Sequence, residues 1–257
     1  MTRIICDTMI WYNLSNGSLK IPDPKKYKLV CTYLSLTELA FTPNNYNKLN
    51  EVQDAIRFIL NLEPELILTF PFDYARTLIE KNYKISFNIE EDIVFAFLLT
   101  IINHPKEGLI ENEFKEQLLD ITIKRKENGN EWSSFLNNLK EPTKEISGLL
   151  KRNISTEWER QKFKEWFIIQ VNYLNNSTYS ADTINWKNFE LYENVFSRYH
   201  RNLLVSKMKA ETNDDNDLKN MIYVQPTSLY WTLEKRWLTI AKEAKVEKYL
   251  FQTYQNE

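Results

Sequence analysis

Glycine is scarce in this chain, with four in 257 residues: Gly17, Gly108, Gly129 and Gly148. That argues against an all-β protein, whose many tight turns lean on glycine for positive φ. It also excludes the common phosphate-cradling loops, since neither G-x-G-x-x-G nor G-K-[ST] occurs. Two cysteines, Cys6 and Cys31, are too few for a disulfide framework or a Cys-rich zinc site. Each lies in a short apolar run and reads as a buried, reduced core residue. Only two histidines, His104 and His200, could serve a Ser-His-Asp or Cys-His hydrolase. The longest apolar run, "IVFAFLLTII" (93–102), is too short to span a bilayer and reads as a buried helix. The opening "MTRIICD" has no apolar signal-peptide core. These absences predict a cytoplasmic protein that does not enter a membrane. A net charge of −2 supplies no global basic field, so any nucleic-acid contact has to be local.

What is present alternates between two periods. "RIIC" (3–6) reads as a buried strand with Asp7 at its end. "LVCTYL" (29–34) reads as a second strand, and "SLTELAF" as a strand-to-helix turn capped by Ser35 or Thr37, with Glu38 in the first turn. "NEVQDAIRFILNL" (50–62) has helical spacing, "LILTF" (66–70) is strand-like, and "FDYARTLIEKNY" returns to helix. From residue 86 the pattern becomes helical, with segments at about 109–127, 131–152, 156–175 and 183–210. Phe135, Trp158, Phe163, Trp166, Phe167, Trp186, Phe189 and Phe196 recur there at helical spacing and read as core. Near the end "SLYWT" (228–232), "LEKRWLTIAKEA" and "VEKYLF" (246–251) restore strand, helix, strand. The fold expected is α/β, with a short five-stranded parallel sheet interleaved with helices. Residues 1–85 and 211–257 form its discontinuous core, and 86–210 an all-helical insertion.

Negative charge is concentrated in "NDDNDLKNMIYV" (213–224), where Asp214, Asp215 and Asp217 crowd one helix start. Acids at a helix N-terminus are ordinarily structural, because they cap free N–H groups and suit the helix dipole. Asp7, Glu38 and Glu234 offer a second explanation. In an open parallel sheet, loops at the carboxyl ends of the strands converge, and each of these loops brings a carboxylate. Taken singly, Glu38 and Glu234 read as helix-start charges. Taken together, bunched carboxylates repel one another and take up protons unless a cation offsets them. Oxygen-only ligands suit Mg²⁺ or Mn²⁺, which activate water and stabilise a phosphodiester under in-line attack.

The ordered set resembles the PIN-domain nucleases. "IICDT" is similar to that family's first strand and leading acid, and "SLTELA" to its S-x-x-[ST]-E-[LF] turn. "NDDNDLKNMIYV" is similar to N-D-x-x-D-L-x-[NH]-x-x-Y, and "YWTLEKRW" to T-x-[DE]-[KR]-x-[WF]. The resemblance covers about residues 1–85 and 211–251, with two departures: a Glu as fourth acid and a much larger insertion. It implies a three-layer α/β/α core and a metal-dependent endoribonuclease. Asp7, Glu38, Asp217 and Glu234 would be catalytic; these four and Asp214 would be metal ligands for Mg²⁺ or Mn²⁺. Thr8, Asn220 and Thr232 would help position the substrate. Local cations flank the acids in sequence: Arg198, Arg201, Lys207 and Lys209 before them, Lys235 and Arg236 after Glu234, and Lys20, Lys25, Lys26 and Lys28 after Asp7. They read either as phosphate contacts or as a solvated helix face and an ordinary polar loop. The substrate expected is RNA, with single-stranded or flap DNA as a neighbouring alternative. For a toxin-type member the resemblance also implies an antitoxin or other protein partner, and family analogy adds a homodimer. A catalytically degenerate scaffold that binds a partner through its helical half is the competing class.

Overall fold

The computed structural model describes residues 1–41, 48–83, 89–103, 112–138, 156–175, 177–206 and 208–252. Four strands form one parallel sheet among these residues: β1 (Thr2–Cys6), β2 (Tyr27–Thr32), β3 (Glu65–Ile67) and β4 (Ser228–Trp231). Their order is β3-β2-β1-β4. The inner strands read as continuous apolar runs because both their faces are covered, and Ile4, Ile5, Cys6, Val30 and Cys31 are wholly buried.

The helices are α1 (Thr8–Ser15), α2 (Tyr33–Ala40), α3 (Leu49–Leu62), α4 (Pro71–Ile79), α5 (Ile89–Asn103), α6 (Asn112–Asn138), α7 (Thr156–Asn175), α8 (Glu190–Val205), α9 (Asp214–Asn220) and α10 (Lys235–Glu243). The chain steps from β1 through β2 to β3 in one direction, then returns past β1 to β4. Right-handed crossovers therefore put the two sets of connections on opposite faces, consistent with an α/β/α arrangement. The reversal also makes the β1/β4 crevice the switch point in strand order. The helices between 86 and 210 join the same hydrophobic cluster as the sheet: α5 packs on α2 and α3, α7 on α4, and α8 on α10. No helix among the described residues is long and apolar enough to cross a membrane.

The expected fifth strand is not formed. Residues Glu247–Tyr249 make a 3₁₀ turn, and the segment pairs with β4 only through one isolated parallel bridge among the described residues, Tyr230 to Leu250. Lys245, at φ 60°, closes the C-terminus of α10, with the Val246 N–H bonded to the Ala241 carbonyl, and the 3₁₀ turn then takes up the residues that a strand would need. The cap of α2 also differs. The Thr32 side chain accepts from the Ser35 N–H, so α2 starts at Tyr33 and Glu38 lies beyond its first turn. The predicted break near 127–131 is absent, because α6 runs through Gly129. Residues 139–155, within the segment expected to be helical, lie outside the described residues. Of the aromatic positions, Phe163, Phe167 and Phe189 are buried, but Phe135 and Trp158 are exposed, at 62% and 46%.

One buried hydrogen bond ties the segment after α9 to the exit of β3. Tyr223 Oη donates to the Thr69 carbonyl over 2.7 Å, and Tyr223 is fully buried. Tyr223→Phe keeps the ring and strands that carbonyl. It should lower unfolding free energy by about 1–2 kcal/mol in urea titrations, and an unchanged midpoint would refute the contribution assigned to this bond.

Candidate metal centre

Parallel pairing delivers the site. Register aligns Cys6 with Trp231, so β1 and β4 end side by side, and the Asp7 N–H donates to the Trp231 carbonyl. Asp7 follows β1 at the N-cap of α1, and Glu234 stands at the N-cap of α10 just beyond β4. α9 brings Asp217 to the same place. One carboxylate oxygen from each of Asp7, Asp217 and Glu234 lies within 4.8 Å of the others. Asp7 and Asp217 are buried and Glu234 is half-buried.

Each acid has a local holder. Thr232 Oγ1 donates to Asp7 Oδ2 at 2.8 Å, and the same oxygen accepts the Glu234 N–H at 3.1 Å. Trp237 Nε1 donates to Asp217 Oδ2 at 3.1 Å from a fully buried indole. Thr8 Oγ1 donates to Glu38 Oε2 at 2.5 Å. Thr32 Oγ1 donates to Asn220 Oδ1 at 2.8 Å, which fastens the end of α9 to the end of β2. Thr8, Thr232 and Asn220 thus hold the framework of the site.

The electrostatics follow from this crowding. Burial, then the neighbouring Glu38 carboxylate, pushes Asp7 up to about 6, against the Thr232 hydroxyl and the N–H groups of Thr8 and Met9. Burial and the charges of Asp7, Glu38 and Glu234 hold Asp217 well above the usual carboxylate range. Burial, Asp7 and Asp214 raise Glu234. A divalent cation reverses each of these penalties. Asp7, Asp217 and Glu234, an all-carboxylate donor set at this spacing, could hold a hard cation.

Several expected site residues are placed elsewhere. Asp214 is not among the converging oxygens. Its Oδ2 accepts from Tyr199 Oη at 2.6 Å and from the Glu211 N–H at 2.8 Å, and its Oδ1 accepts from Arg236 Nη1 at 2.8 Å. Asp215 pairs with Lys219. The three aspartates therefore divide into a brace, a surface ion pair and a member of the cluster. Arg236 is built into the framework through Asp214, Glu211 and the Lys209 carbonyl. Arg201 pairs with the buried Glu159 at 3.2 Å, and Arg198 adds its charge to the same acid. Lys235 is exposed beside Glu234, and Lys207 lies outside the described residues. Glu38 acts on the cluster through its charge and stands outside the 4.8 Å set. The lysine-rich loop sits at the opposite pole: Lys26 accepts the N–H of Thr2, at the start of β1. Trp237 and Tyr199 were missed as site-supporting residues. Trp237 falls inside the quoted "YWTLEKRW", so its place three residues after Glu234 was visible in the sequence.

The chain matches no protein-family model, no curated protein and no solved structure.

The raised carboxylates set a sign for pH dependence. In chelator, these acids bind protons more tightly in the folded than in the unfolded state. Their protonation supports the fold at low pH, and that support is lost as pH rises through the folded values. For Asp7, raised from 3.8 to about 6, this amounts to on the order of 3 kcal/mol. Asp217→Asn removes one repelling charge. Its stability advantage over the wild type should therefore grow from about pH 4 to neutrality in metal-free urea titrations. An advantage that shrinks with pH would contradict the charge crowding.

Proposed function

We propose that the protein is a metal-dependent endoribonuclease of the PIN-like type, with Mg²⁺ or Mn²⁺ held by Asp7, Asp217 and Glu234. The observation that carries this reading is the meeting of three carboxylates from three separate elements within 4.8 Å, two of them buried, at the switch point of a parallel sheet. Burying like charges together is costly, and a divalent cation is the simplest ligand that offsets it. The ordered motifs around Asp7, Glu38, Asp217 and Glu234 support the family assignment.

The cation supplies Lewis acidity toward a phosphoryl oxygen and lowers the pKa of water. The chain does the rest. Asp7 and Asp217 form the buried floor, aimed by Thr232 and Trp237. Glu234 and Glu38 are half-buried, and either can accept the proton of the attacking water. The new P–O bond forms to that water as the bond to the 3′ oxygen breaks. The products are a 5′-phosphate and a 3′-hydroxyl. Lys235, exposed next to Glu234, would meet a phosphate of the substrate.

The test uses metal-stripped full-length chain with single-stranded and structured RNA, and with single-stranded and flap DNA, at millimolar Mn²⁺ or Mg²⁺. RNA should be cut to 5′-phosphate ends, and Asp7→Asn or Asp217→Asn should abolish cutting. Trp237→Phe should keep the fold and weaken Mn²⁺ binding about 10–100-fold, as removal of a ligand's hydrogen-bond partner does. Intact RNA at every metal concentration, with no Mn²⁺-dependent shift in melting, would falsify the assignment. Cutting confined to DNA would move the substrate to flap or single-stranded DNA.

A further inference from the structure

Helix α6 lies far from the acids in sequence, yet it meets the strap of chain, residues 209–214, that leads into α9. Three contacts make the meeting specific. The Asn137 side chain forms a two-way amide pair with Ala210: Oδ1 accepts the Ala210 N–H at 2.9 Å, and Nδ2 donates to its carbonyl at 3.1 Å. Because a backbone N–H needs an acceptor and a carbonyl a donor, the pair fixes the orientation of the Asn137 amide. Thr212 Oγ1 donates to Asn130 Oδ1 at 2.7 Å. At Gly129 a Cβ would lie 2.6 Å from both the Thr212 carbonyl oxygen and its Cγ2. A glycine inside a helix is otherwise unfavourable relative to alanine, so this close approach is a reason for glycine at that position.

The strap passes these contacts on. Trp132 of α6 stacks with Tyr199 at 6.3 Å, and Tyr199 donates to Asp214 at the head of α9. Arg236 grips Asp214, Glu211 and the Lys209 carbonyl, and its neighbour Trp237 donates to Asp217.

We propose that α6 is a positioning element for the carboxylate centre: by docking on the 209–214 strap through Gly129, Asn130 and Asn137, it fixes Asp217 opposite Asp7 and Glu234. The consequence for ion binding rests on the proposed metal centre, whereas the docking does not. It gives a helix between 86 and 210 a role in the site through the strap alone.

The test compares full-length wild type with Asn137→Ala, Gly129→Ala, Asp217→Asn and Thr122→Val. Thr122 is a same-helix control: its hydroxyl bonds the Phe41 carbonyl and does not touch the strap. Mn²⁺ affinity is read by EPR from the loss of the free-ion signal, well below the melting temperature, and melting is followed separately in chelator. Asn137→Ala should weaken Mn²⁺ binding about tenfold or more, while Thr122→Val lowers melting and leaves affinity unchanged. Gly129→Ala should lower melting in chelator, although the same change in a free helix raises it. Wild-type affinity in Asn137→Ala overturns the positioning role even where Asp217→Asn shows the metal centre to be real. Absence of Mn²⁺ binding in the wild type overturns the metal centre and the positioning of an ion-binding site with it. In that case Gly129→Ala still decides the docking, and raised melting overturns it.

Discussion

The mutual repulsion of carboxylates at the ends of β1 and β4 is the constraint around which the rest of this structure is arranged. Beyond burial, the charges of Asp7, Glu38 and Glu234 raise Asp217, Glu38 raises Asp7, and Asp7 raises Glu234. Such a cluster persists only if the scaffold leaves the acids no room to move apart. Parallel pairing of β1 with β4 provides part of that restraint, because it sets two strand ends side by side. The remainder comes from single hydrogen bonds, each from a neutral donor: Thr232 to Asp7, Trp237 to Asp217 and Thr8 to Glu38. Neutral donors orient a carboxylate without neutralising it, so the negative potential stays available to a cation.

The cations in the same region work differently. Arg236 is committed to Asp214 and Glu211, Arg201 to Glu159 and Lys219 to Asp215. Their direct pairings are with carboxylates outside the cluster: Arg236 joins α10 to α9, Arg201 joins α8 to α7, and Lys219 closes a pair within α9. The framework is therefore internally compensated, while the centre it surrounds is not. That division also separates two acids only three positions apart: Asp214 belongs to the frame and Asp217 to the centre.

Much of this was legible in the sequence, and the failures have physical causes. A charge directly after the apolar "RIIC" marked the end of β1, and parallel topology brings Asp7 beside the end of β4 that leads to Glu234. The lysine loop, read as flanking the acids, ends at the opposite pole, because a chain leaving β1 must return there before β2 can run parallel to it. The fate of Asp214 was not legible. It depends on Tyr199, fifteen positions upstream, and Arg236, twenty-two downstream, meeting it in space. The segment "VEKYLF" has the apolar content of a strand, but Glu247–Tyr249 wind into a 3₁₀ turn directly after the left-handed Lys245 that ends α10. Gly129 lies between two segments read as separate helices, and only the nearness of Thr212 reveals it as a contact surface.

The distance along the chain between β1 and β4 carries a consequence for how the molecule comes into being. β1 is an inner strand, yet one of its two neighbours is made more than two hundred residues later. At ordinary rates of translation that interval is on the order of ten seconds or more. Throughout it, one flank of β1 is an open edge, and Asp7 has neither Asp217 nor Glu234 beside it. A ribosome-bound chain therefore carries an incomplete centre, and emergence of the final strand and helix both seals the sheet and completes the acidic trio. The acidic trio can therefore come together only after the segments carrying α9, β4 and α10 have been made.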